Sequence, residues 1–180
     1  MILHFTPTRY QQYVMSTFEE GAHRHIVAPR RAGNSWALLF CAMKDYVQYY
    51  ETTKIAPAFD SEEFMQETEC CGDRNILIIS RAKFNCKLML NNLFFNLQIG
   101  EVVNMDDVFL TCGFNHEISF PLGDYLYSVH FGNIHEIEIY RGTKCDAIYA
   151  DSLNSYSNKH FELVNMIEEK LNQKVFSVMS

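Results

Sequence analysis

No stretch of this 180-residue chain reaches the roughly 18–20 uninterrupted apolar residues that a membrane-spanning helix needs. Nor does its start read as a basic segment followed by an apolar core and a cleavage site, the pattern of an export signal. The six cysteines, Cys41, Cys70, Cys71, Cys86, Cys112 and Cys145, form no C-x-x-C pair, which argues against a zinc or dithiol redox site. His23 with His25, and His130 with His135, lack helical metal-ligand spacing. An excess of positive charge is missing too: the formal net charge is -7, so the chain as a whole does not advertise a nucleic-acid surface. There is no internal repeat and no low-complexity segment. These absences lead to the expectation of a soluble, intracellular protein with reduced, buried thiols and no membrane contact.

What is present suffices for a packed core. With 48% hydrophobic and 14% aromatic residues, the chain is expected to fold as a single domain over residues 1–180. Its charge is uneven. The stretch "SEEFMQETE", residues 61–69, holds four carboxylates and no cation, whereas residues 74–87 hold the four cations Arg74, Arg81, Lys83 and Lys87. A solvated helix face explains Arg81, Lys83 and Lys87 most simply, and a local DNA contact is the alternative.

Along the chain, helix and strand signals alternate. Thr6 or Thr8 can cap a helix over residues 7–20, with Tyr10, Tyr13, Val14 and Phe18 at helical spacing. A short strand "HRHIVAP" leads through a glycine-containing loop into the apolar helix "SWALLFCAMKDYVQYY", residues 35–50. In that helix Tyr46, Tyr49 and Tyr50 are expected to pack against a sheet. Residues 51–74 read as a surface excursion. "NILIIS", residues 75–80, has the continuous apolar character of a strand buried on both faces, and a second helix is expected over 82–97. From 107 to 140 short alternating runs, "VFLTCG", "HEISFPLGDYLYSVHFG" and "IHEIEIY", read as strands, with Leu122-Gly123-Asp124 at a hairpin turn. "DAIYAD", residues 146–151, is a further strand, a helix follows over 159–172, and "VFSVMS" is the last strand. The order implies a three-layer α/β sandwich with a mainly parallel sheet and an antiparallel hairpin insert.

The chemistry concentrates in "IVAPRRAGNSW", residues 26–36. A strand, a loop of small and basic residues and a buried helix are the ingredients of a phosphate-binding loop, whose backbone N–H groups and helix N-terminus surround phosphate oxygens. Such a loop normally ends in Gly-Lys-Ser or Gly-Lys-Thr, the lysine adding charge and the hydroxyl binding magnesium. Here Gly33 and Ser35 stand in place, Asn34 replaces the lysine, and Ala28 replaces the first glycine. An ordinary strand-to-helix turn capped by Asn-Ser is the other reading of these residues. The strand "DAIYAD" favours the first, because it delivers Asp151 to the mouth of a parallel sheet, where a carboxylate can join Ser35 around magnesium. The next position, occupied in hydrolysing enzymes by a water-orienting glutamate, is Ser152.

The loop "APRRAGNSW" resembles the PRR-x-GK-[ST]-W loop of viral and phage terminase large subunits, the ATPases of DNA-packaging motors. "FTPTRYQQYVM" is similar to that family's adenine-recognition segment, with Gln11 or Gln12 as its glutamine. "ISFPLGDYLYSVHFGNIHEIEIYRGTKCDAIYADSL" resembles its hairpin, its Arg-Gly pair at Arg141-Gly142 and its magnesium-binding strand, and "KVFSVMS" the strand before its coupling segment. The resemblance implies a P-loop NTPase-like domain that binds ATP and Mg2+ through Gln11, Arg30, Arg31, Gly33, Asn34 and Ser35, with Asp151 and Ser35 at the metal and Asp151 and Ser152 at the reaction centre. It implies as partners double-stranded DNA and viral packaging or capsid-assembly proteins, oligomer formation, and a place in the infected cell or the virion. No counterpart of the family's nuclease domain is found, so no nuclease activity is expected. With Asn34 for lysine and Ser152 for glutamate, hydrolysis is expected to be weak or lost, the alternative role being a non-catalytic structural or regulatory module.

Overall fold

The computed structural model describes residues 7–21, 23–29, 32–55, 72–81, 109–111, 116–122 and 125–179. Helix α1 spans Arg9–Glu19 and starts at a reciprocal cap: the Thr8 hydroxyl accepts from the Gln11 N–H, and the Gln11 side chain accepts from the Thr8 N–H. Such a pair satisfies two of the backbone donors that a helix start leaves open. Strand β1, His25–Val27, leads to α2, Asn34–Ile55. The helix thus runs five residues into the stretch expected to be a surface excursion.

Seven strands form one sheet in the order β1-β7-β6-β2-β5-β4-β3. They are β1, β2 (Arg74–Ser80), β3 (Phe109–Thr111), β4 (His116–Leu122), β5 (Tyr125–Asn133), β6 (Ala147–Asp151) and β7 (Phe176–Met179). The five strands β1, β7, β6, β2 and β5 run parallel, and β5-β4-β3 continue antiparallel. Leu122 faces Tyr125 across the β4–β5 pair; Gly123 and Asp124 of the expected turn, and the helix expected over 82–97, lie outside the described residues. The central strand β2 is apolar on both faces, and its side chains divide alternately. Ile76 and Ile78 pack with Val14, Leu38, Met43 and Tyr46 beneath α1 and α2. Leu77 and Ile79 pack with Ile137, Val164 and Ile167 beneath the opposite layer, where helix α3, Ser157–Leu171, lies. The described residues therefore form the expected three layers.

A second element departs from its expectation. "IHEIEIY" is a 3-10 helix, Ile134–Tyr140, and not a strand. The Asn133 side chain accepts from the His135 N–H and starts the turn. The side chains that bury themselves are Ile134, Ile137 and Tyr140, spaced by three, while the alternating Ile139 stays exposed. A period of three suits a 3-10 helix, whose i and i+3 side chains eclipse.

Candidate functional site

Parallel strands all end at the same edge of a sheet, and ligands of such sheets bind beyond those ends where the strand order reverses. Here β1 passes by α2 to the sheet centre, and β6 and β7 later fill the gap between β1 and β2. The loop after β1 and the end of β6 consequently flank β7. That strand ties both together, since Met179 O accepts from the Ala28 N–H at 2.8 Å and Val178 O accepts from the Ser152 N–H at 2.8 Å.

At this edge Ser35, in the first turn of α2, donates its hydroxyl to Asp151 Oδ2 across 116 residues of sequence. Asp151 is only 4% exposed, and burial raises its carboxyl above the ordinary range, while hydroxyl bonds from Ser35 and Ser152 partly oppose the shift. No described cation pairs with it. A buried carboxylate facing hydroxyls, without a positive partner, is a hard oxygen set. It fits magnesium, which is held by one or two protein oxygens together with phosphate and water. Ser152 adopts a left-handed backbone, φ 46°, as the chain leaves β6, and its hydroxyl goes to Asp151.

The loop end is shaped by α1. Gly33 has φ 85°, a conformation that disfavours residues with a Cβ. A Cβ there would also sit 2.6 Å from Gln11 Nε2. The Gln11 amide donates to Gly33 O at 3.4 Å, and its oxygen is committed to the α1 cap. Gln11 is thus a buried brace under the loop, while Gln12 is exposed and donates to Pro7 O. Asn34 is buried, and its Oδ1 accepts from the Tyr10 hydroxyl at 2.9 Å. Burial and the nearby Asp151 carboxylate push the Tyr10 phenol up to about 12.

The structure therefore brings Gln11, Gly33, Asn34, Ser35, Asp151 and Ser152 to one edge. Arg30 and Arg31 lie outside the described residues. Arg141 does not join the site: it follows the 3-10 helix at the opposite end of the sheet, before β6 begins. The Glu138 carboxylate is paired by Lys170. Sequence pattern gives Tyr10 only an apolar helix position, and the single hint of its polar role is its place beside Gln11.

A parallel sheet whose loop–helix junction faces a buried carboxylate at the end of another strand defines the P-loop NTPase-like class. Comparison with solved structures narrows the fold. The Thermus phage P74-26 large terminase ATPase domain superposes with a TM-score of 0.54 at 10% identity, covering 98% of this chain and 66% of that one. The large terminase of a second, thermophilic bacteriophage superposes with a TM-score of 0.55 at 10% identity, covering 97% of this chain and 39% of that one. The chain has the fold of phage large-terminase ATPase domains, and spans less than two thirds of either relative's length. No family model matches it, and no curated protein does.

Proposed function

We propose that this chain is a packaging-motor-type domain that binds a nucleoside triphosphate with magnesium and turns it over slowly or not at all. The observation that carries the reading is the Ser35–Asp151 contact at the carboxyl edge of the parallel sheet. In this proposal the backbone N–H groups of residues 33–35 hold phosphate oxygens, with Arg30 and Arg31 adding charge. Ser35 and Asp151 would hold the metal, which supplies charge neutralisation on the phosphates. Loss of the lysine contact at Asn34 weakens binding by about 1.5–3 kcal/mol without abolishing it.

Slow turnover follows from Ser152. Its hydroxyl is neutral at physiological pH and engaged with Asp151, so it supplies no base for an attacking water, a loss of about 10²–10⁴ in rate. The same observation favours a second reading, in which the domain serves as a non-catalytic structural or regulatory subunit among packaging or capsid-assembly proteins, with double-stranded DNA as the motor's track. Titration calorimetry with ATP and magnesium, followed by a phosphate-release assay, tests the first reading. Saturable binding lost in Asp151→Ala supports it. Absence of heat up to millimolar nucleotide, from protein whose circular dichroism shows it folded, leaves the second.

A further inference from the structure

We propose that Tyr10 is a positioning residue that turns Asn34 into a neutral phosphate donor, so that the Asn34 Nδ2 amide takes the place of the lysine ammonium. The proposal rests on the nucleotide reading above and names the part that makes it work without lysine. An asparagine amide is planar, with its acceptor oxygen and donor nitrogen on opposite sides of one carbon. The Tyr10 hydroxyl, 24 residues away, fixes the oxygen side at 2.9 Å. The nitrogen side is then left as the free donor. Among the described residues Nδ2 makes no hydrogen bond, and it is not one of the buried atoms sealed from solvent without a partner, which are Tyr46 Oη, His116 Nδ1 and His160 Nδ1.

Two further features keep this arrangement in place. Asn34 is only 7% exposed, so its side chain has little room for other rotamers. The Tyr10 phenol also keeps its proton at all physiological pH values, since burial raises it, and therefore remains the donor in the pair. Tyr10 and Gln11 are adjacent on α1, and they hold adjacent residues of the loop end, Asn34 and Gly33. Helix α1 thereby sets both the backbone and the side chain that meet a phosphate.

The test is titration of the full chain with ATP and magnesium for wild type, Tyr10→Phe, Asn34→Asp, Asn34→Lys and the Tyr10→Phe/Asn34→Lys pair, with thermal unfolding of each. Asn34→Asp keeps the acceptor for Tyr10 and replaces the donor with a negatively charged oxygen, and is expected to weaken binding at least tenfold with folding retained, through both the lost donor and the added charge. Tyr10→Phe is expected to weaken it about 3–10-fold. Asn34→Lys is expected to bind more tightly than wild type and to be insensitive to Tyr10→Phe, because an ammonium needs no orienting acceptor bond. Wild-type binding that Asn34→Asp or Tyr10→Phe leaves unchanged overturns this inference alone. An equal loss from Tyr10→Phe in the wild-type and Asn34→Lys backgrounds also overturns it, by making Tyr10 a general support of the fold. No binding by wild type overturns the nucleotide reading and this inference together.

Discussion

Replacing Gly33 with alanine separates two constraints that coincide at one atom. The backbone at φ 85° costs a residue with a Cβ about 1–2 kcal/mol. The new methyl would lie 2.6 Å from Gln11 Nε2, far inside contact distance. That atom is the far end of a flexible side chain, so it moves aside and gives up its 3.4 Å bond to Gly33 O, a loss of about 0.5–1.5 kcal/mol. The expected total is about 1.5–3.5 kcal/mol, which for a domain of this size is a fall of about 3–14 °C in Tm. Urea unfolding followed by far-ultraviolet circular dichroism measures it, with an unchanged slope required. In a Gln11→Ala background the contact is already gone, so the same change should cost only the backbone share. A cost below about 0.5 kcal/mol would refute the backbone argument, and equal costs in the two backgrounds would refute the contact.

Asp151→Asn is expected to stabilise the metal-free protein at neutral pH while removing magnesium-dependent nucleotide binding. Because burial raises the folded carboxyl above its unfolded value, the folded state holds its proton longer, and stability falls as pH rises through the carboxylate range. The variant's advantage in Tm should accordingly shrink as pH is lowered through that range; an advantage independent of pH would contradict the charge explanation. At the other end of the sheet, the buried Tyr127 hydroxyl lies 2.7 Å from Ala42 O and 2.9 Å from Asp45 Oδ2 and shares its one proton between these two acceptors, and Arg74 grips the same carboxylate through Nε and Nη2. Tyr127→Phe should cost about 1–2 kcal/mol of stability in urea unfolding and leave nucleotide binding unaltered. A binding change would show that this network reaches the loop.

The parts of the fold that are readable in the sequence are those in which burial and local pattern agree. "NILIIS" is buried on both faces and reads as one run; α1 and α3 carry apolar residues at helical spacing. The 3-10 helix misleads because "IHEIEIY" satisfies two periods at once, alternation of two and repetition of three, and only packing against α3 selects Ile134, Ile137 and Tyr140. The end of α2 misleads for a related reason: Glu51 to Lys54 have no apolar signal, yet the helix continues through them. At the candidate site, the pairing of Ser35 with Asp151 is expected from a motif and a strand end. The roles of Tyr10 and Gln11 are not, since a hydroxyl–amide bond between helices 24 residues apart leaves no local trace in sequence.

Strand β7 has a consequence for the order in which this site comes into being. Among the described residues β1 pairs with β7 alone, and the turn after β6 is tied to β7 through Ser152 and Val178. On the ribosome, the loop leaves the exit tunnel long before the strand that anchors it, so α2 can coil and β2 can pair while residues 25–35 still lack their support. Contacts of such long sequence separation form slowly. The candidate site is therefore expected to form abruptly, and only once residues 176–179 have emerged to slide between β1 and β6 and close the sheet.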